Sequence, residues 1–195
     1  MKYSLFSILL VGVMCVVGCS PELGLQMTVP NLPEPQAAVD ASAATDPVKV
    51  KVGKFVDARA SQTIATIDGR SVPSEGALGD VVQEGFTRYL RQAGVHIAIL
   101  NSPMIDGEIV DWQARVKPSF PTSDAKATAK LRVIVRDSKS HPLYRATFSG
   151  EATASHPMLD EESIQKLLAQ AMGSAIETAV KSDEFLAQLS KGRVE

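Results

Sequence analysis

Cysteine is nearly absent from this chain. Its 195 residues hold two, Cys15 and Cys19, both near the N-terminus. Beyond Cys19 there is no thiol, which excludes a disulfide framework, a cysteine nucleophile and a thiolate metal site from the rest of the sequence. Aromatic residues make up only 5%, so the core should be modest, aliphatic and rich in alanine. Positive charge is not in excess, since 20 Lys and Arg stand against 22 Asp and Glu. That balance argues against nucleic acid as a partner, which calls for a strongly basic patch. No apolar run after residue 18 approaches the roughly 20 residues that a membrane-spanning helix needs. Motifs of chemistry are missing as well. His96, His141 and His156 lie in no metal-binding pattern, no glycine-rich phosphate loop is present, and neither Ser61 nor Ser71 sits in a nucleophile elbow. The expectation is a protein with no catalytic residues, no metal and no cofactor, and hence not an enzyme.

What is present starts at the N-terminus. Met1-Lys2 is a short positive region, and Leu5 to Val17 is apolar apart from Ser7 and Gly12. Such a run fits the h-region of a secretory signal, about 7–15 residues long. It ends in Val16-Val17-Gly18-Cys19, small residues leading to a cysteine, and this tetrapeptide resembles the lipobox of bacterial lipoproteins. The resemblance implies that residues 1–18 are a signal peptide, that diacylglycerol joins the Cys19 sulfur, and that the new amine is acylated. Each buried CH₂ contributes roughly 0.8 kcal/mol, so one acyl chain holds marginally and two or more hold stably. The lipid would then be the membrane contact. Ser20, where an Asp would retain the protein at the inner membrane, implies export to the periplasmic face of the outer membrane.

Residues 19–47 read as the lipidated cysteine and a flexible tether. Pro21, Pro30, Pro33, Pro35 and Pro47 lie among small polar residues that bury too little area to offset the entropy of ordering. Residues 48–190 read as a single α+β domain, with 191–195 as a tail. Val48, Val50 and Val52 alternate with Lys49 and Lys51, which predicts a strand over 48–56. Asp57-Ala58-Arg59 follows, then a polar stretch from Ser61 to Glu75 with a turn signal at Asp68-Gly69. The spacing of Leu78, Val81, Val82, Gly85, Phe86, Tyr89 and Leu90 predicts a helix over 76–93, closed by Gly94. A short strand is expected from Val95 to Leu100. Three more are expected near 104–117, 123–137 and 143–155. In the first of these Val110, Trp112, Ala114 and Val116 alternate with polar residues. Trp112, Leu131, Val133, Tyr144 and Phe148 should face the helices. A last helix over 160–181 begins at Asp160 as N-cap, and Ser182 could cap a short extension through Phe185 and Leu189. The expected order is β-α-β-β-β-α, a mostly antiparallel sheet with two helices on one face. The first strand would lie parallel to either outer strand of the meander, and whichever edge stays open is a natural docking site.

The strand ending in Asp57-Ala58-Arg59, the helix closing in Leu90-Arg91-Gln92-Ala93-Gly94, the segment from Lys130 to Val135, and Tyr144-Arg145-Ala146 followed by the terminal helix resemble the YajG-like family of outer-membrane lipoproteins. That likeness spans about 48–190. It implies fold and location and brings no activity with it. Two groups are candidates for recognition. Asp57 and Arg59 point to the same side of a strand end, as a loop tie or as part of a binding loop over 57–75. Lys126, Lys130, Arg132 and Arg136 form a basic row on one polar strand face, as a solvated surface or as a docking face for an acidic partner. Asp106, Glu108 and Asp111 read as a solvated sheet edge. The expected role is a non-enzymatic interaction or accessory domain of the cell envelope with a protein partner. The alternative is a small-ligand or lipid-binding domain with a pocket between helices and sheet.

Overall fold

The computed structural model describes residues 27–28, 31–35, 48–98 and 102–191. The signal peptide, Val16, Val17, Gly18 and Cys19, as well as the end of the strand expected up to Leu100, lie outside the described residues. The elements run β1 (Met27–Thr28), β2 (Lys49–Asp57), β3 (Thr63–Ile67), β4 (Arg70–Glu75), α1 (Leu78–Gln92), β5 (His96–Ile97), β6 (Met104–Lys117), β7 (Ser123–Arg136), β8 (Pro142–His156), α2 (Glu161–Val180) and α3 (Asp183–Lys191). They form a mixed α/β fold with one eight-stranded sheet and three helices.

The meander falls where the alternation places it. β6, β7 and β8 pair antiparallel along nearly their whole length. Trp112, Leu131, Val133 and Phe148 are buried, and Tyr144 is half-buried against them. The other edge of β6 is shared between two partners. β2 lies parallel to its first half, Lys51 opposite Met104 through Asp57 opposite Ile109. β3 lies parallel to its second half, Ala65 opposite Ala114 through Ile67 opposite Val116. β5 joins β2 and β1 joins β4, both parallel. The sheet is therefore mixed: the long β6–β7–β8 meander, as expected, and the β3–β4 pair are antiparallel, while the other four strand pairings are parallel.

Four further differences have physical causes. The polar stretch 61–75 is a hairpin. Asp68 and Gly69 both take positive φ, 50° and 76°, as a two-residue turn between twisted strands requires. Val110 is not in phase with Trp112. A β-bulge between Ile109 and Asp111 adds one residue, so Ile105, Gly107 and Ile109 share the inner face with Trp112, Ala114 and Val116. The extension after α2 is a separate helix. Ser182 Oγ accepts from the Phe185 amide, 3.4 Å, and the turn brings the Phe185 ring within 6.2–6.5 Å of Phe86, Tyr144 and Phe148. Finally, part of the expected tether is packed on the domain. Met27 and Leu32 are buried. Leu32 fills the space above Gly85, and Pro33 meets Gly173. Arg88 donates to the Leu32 carbonyl, 3.0 Å, and Gln92 to the Pro35 carbonyl, 3.2 Å. Proline lacks an N–H but keeps its carbonyl, and this strap is held through carbonyls.

The helices cover one face of the sheet. Asp160 caps α2 as expected, accepting from the Ser163 amide at 2.9 Å, and those hydrogen bonds hold its carboxyl below the usual range. Trp112 Nε1 donates to the Leu168 carbonyl at 3.0 Å, which satisfies the one polar atom of a fully buried indole. Gly150 lets the backbone of α2 settle onto β8, because a Cβ there would collide with the Ala171 carbonyl oxygen. The inner-face alanines 125, 127 and 129 thus serve close packing. Val133 is fully buried, so Val133→Asp should abolish the cooperative thermal transition, by placing an unpaired charge in the core. Arg132 lies on the opposite face in a half-exposed pair with Glu108. Arg132→Asp should cost about 1 kcal/mol in the same melts.

Candidate functional site

The outer face of the sheet carries nearly every candidate that the sequence singles out. It is formed by alternate residues of β6, β7 and β8. Two adjoining depressions lie on it, both lined by Asp111 and Gln113. One, about 430 Å³, continues over Arg115, Lys126, Thr128, Lys130 and Glu151. The other, about 360 Å³, continues toward Arg59, Ser61, Thr66 and Ser71.

The basic row is present on this face but is mostly paired. Arg136 Nε meets Asp106 at 2.8 Å, Arg132 Nη1 meets Glu108 at 2.6 Å, and Lys126 Nζ meets Glu151 at 2.7 Å. Lys130 is exposed and lies directly across from Asp111. Asp111 accepts from Gln113 at 3.0 Å and from the Thr128 hydroxyl at 3.4 Å. The acids of β6 and the bases of β7 therefore form cross-strand pairs, each worth a few tenths of a kcal/mol to about 1 when exposed. Half of each pair reads as a basic row or an acidic group only as long as the register between the strands is unknown. Gln113 and Thr128, which tie Asp111 in place, have no sequence signal beyond their polar phase.

Asp57 and Arg59 form the best-organised polar group. The Arg59 side chain is 4% exposed. It grips both Asp57 carboxylate oxygens at 2.9 Å, and donates to the Trp112 carbonyl at 3.1 Å, the Thr63 carbonyl at 3.4 Å and Ser74 Oγ at 3.0 Å. Its location explains these bonds. β2 leaves the edge of β6 at Ile109 and β3 joins at Ala114, so the Trp112 carbonyl lies in the gap between them. The guanidinium fills that gap and fastens the hairpin beside it. This geometry is that of a loop tie. Burial alone would raise the Asp57 carboxyl, but the hydrogen bonds and charge of Arg59 outweigh it and hold the group below its ordinary value.

The histidines are dispersed. His141 contacts Asp137 at one end of the sheet, His156 bonds the Met158 carbonyl at the other, and His96 lies on β5. Among the described residues no three His, Cys, Asp or Glu side chains gather into a metal-binding group. The space between sheet and helices is occupied by side chains. Trp112, Leu131, Leu168, Met172 and Ile176 are each fully buried there.

These features define one mixed sheet with a helical layer on one face and a charged, open surface on the other. A protein of Xanthomonas campestris from the DUF330 family shares this fold over 86% of this chain and 94% of its own, with a TM-score of 0.53 and 11% identity. Weaker likenesses reach a minor lipoprotein of Acinetobacter baumannii (75% and 92% covered, TM-score 0.41, 11% identity) and a lipoprotein of Neisseria meningitidis (63% and 94%, TM-score 0.32, 11% identity). No family model and no curated protein matches the sequence. The YajG-like resemblance therefore rests on its sequence motifs, from Asp57-Ala58-Arg59 to Tyr144-Arg145-Ala146.

Asp57→Asn should lower the melting temperature at neutral pH. The folded-state pKa of Asp57 is depressed, so its contribution is complete above the unfolded value of about 3.9 and is lost as pH falls through the folded value. The gap between wild type and mutant should therefore close below about pH 4. A gap that widens with acid would contradict the pairing.

Proposed function

We propose that this chain is a lipid-anchored domain of the bacterial envelope, attached through Cys19 to the periplasmic face of the outer membrane, that works by binding another envelope protein and not by catalysis. The anchor rests on the signal-like run and Val16-Val17-Gly18-Cys19. The binding role rests on one structural observation, the free edge of β8. Among the described residues this strand, from Pro142 to His156, pairs only with β7. A long open edge presents unpaired backbone N–H and C=O groups, and proteins usually guard it with proline, a bulge or an inward-pointing charge. β8 has none of these after its first residues. Its register with β7 is unbroken from Tyr144 to His156, and its inward positions are Tyr144, Ala146, Phe148, Gly150, Ala152 and Ala154. A partner adding an extended strand there would gain main-chain hydrogen bonds with little reorganisation. The outer-face pair of Lys126 with Glu151 on β8 would lie beside the seam and help select its charge pattern.

The two halves of this reading are separable. Radiolabelled palmitate should enter the wild type and not Cys19→Ala, and equal labelling of both would overturn the anchor. A photocrosslinking residue at 147 or 151 on β8 should give the same discrete adduct in cells, and one at 91 on α1 should not. Adducts of equal yield from all three positions, or from 91 alone, would overturn the edge as the binding surface.

A further inference from the structure

β8 carries a spaced pair of opposite charges along its open edge. Within the unbroken stretch from Tyr144 to His156, the outer positions are Arg145, Thr147, Ser149, Glu151, Thr153 and Ser155. Arg145 is exposed and forms no ion pair or hydrogen bond among the described residues. Glu151 meets Lys126 at 2.7 Å and stays 60% exposed, so its carboxylate has room for a second cation. The two charges lie three residues to either side of Phe148.

That spacing is self-complementary. Two copies of one strand can pair antiparallel about a two-fold axis perpendicular to the sheet, and the axis then passes beside the same residue of each. Such pairing sets like faces together, so the helical layers of both copies lie on one side. With the axis at Phe148, Arg145 of each copy falls opposite Glu151 of the other. Opposite charges directly across a ladder attract, and like charges repel. An axis at Arg145 or at Glu151 would set like charges face to face, and one at Thr147 or Ser149 would leave both charges opposite uncharged residues. The inner face agrees with the Phe148 register. Tyr144 falls opposite Ala152 and Ala146 opposite Gly150, so bulk meets small side chains. Tyr144, Ala146 and Ala152 are only half-buried in the single chain, and this pairing covers them. A second copy also brings an edge as open as β8 itself, and joining the two closes both.

We infer that β8 pairs with β8 of a second copy, antiparallel and centred on Phe148, with an Arg145–Glu151 pair on each side of the axis. This inference rests on the β8 edge proposed above as the binding surface and names the strand that adds there.

The test uses the lipidated full chain in detergent, with self-association followed by analytical ultracentrifugation. The wild type should form dimers. Arg145→Glu and Glu151→Arg should each weaken dimerisation about tenfold, because each sets like charges opposite one another twice across the seam. A double variant carrying both changes should dimerise as the wild type does. An equimolar mixture of the two single variants should form heterodimers, since opposite charges again face each other, and that association shows that both are folded. A monomeric wild type, single variants that dimerise as tightly as wild type, or a loss that neither the double variant nor the mixture restores would overturn the inference. The photocrosslinking residue at 147 separates the two readings in cells. A discrete adduct that contains a different protein and no second copy overturns this inference and leaves the edge as a binding surface, whereas no adduct at 147 or 151 overturns both.

Discussion

The whole architecture depends on how one edge of β6 is shared. A strand of this length offers more backbone groups than either β2 or β3 can use, and the two divide it with a gap between Ile109 and Ala114. A buried carbonyl without a donor costs about 1–3 kcal/mol. Arg59 meets that demand at the Trp112 carbonyl and, through Asp57, Thr63 and Ser74, fastens both partial strands to the same place. On the inner side of the same residue, the Trp112 indole bonds to α2. The point where the sheet changes partners is thus also the point where the helical layer is pinned.

That arrangement determines which surfaces remain for function. The interior is closed by Trp112, Phe86, Phe185 and Met172, and Gly150 draws α2 down onto β8. Among the described residues, what stays open is peripheral: the edge of β8, the charge-paired outer face and the loops at the ends of the sheet. In the proposed role, a small domain built this way would recognise partners by backbone edge and surface pattern. Leu32 packs over Gly85 of α1 and Pro33 over Gly173 of α2, so part of the proline-rich segment belongs to the folded body.

Regular alternation makes the meander legible in the sequence alone. β6, β7 and β8 are long and one-sided, so their faces and ends follow from period two, and Trp112, Leu131 and Val133 fall on the helix side. α1 and α2 are equally plain from their apolar stripes and from Gly94 and Asp160. The hairpin β3–β4 is not. Only Ile64, Ala65, Ile67 and Val72 carry its apolar signal, and each strand is too short for alternation to stand out from a polar loop, although Asp68-Gly69 marks the turn. The bulge at Val110 is present in the sequence as a change of phase, from Ile105 and Ile109 to Trp112 and Ala114, but only cross-strand register distinguishes an inserted residue from a second strand. The strap is hidden for another reason. Its prolines signal a chain without donors, and whether their carbonyls find Arg88 and Gln92 is decided by tertiary packing. The same holds for the candidate site: Asp57 and Arg59 are visible as a pair, but the carbonyl they serve is contributed by a strand distant in the sequence.

The claim that Arg59 joins the two half-edges of β6 is tested most directly by residue-resolved hydrogen exchange on Arg59→Ala. The account predicts that amides of 58–75 lose protection selectively, while those of β6, β7, β8 and α2 keep theirs, because the meander and its helix form a cooperative unit that the hairpin only joins. Uniform loss of protection across the domain, or unchanged protection over 58–75, would contradict it.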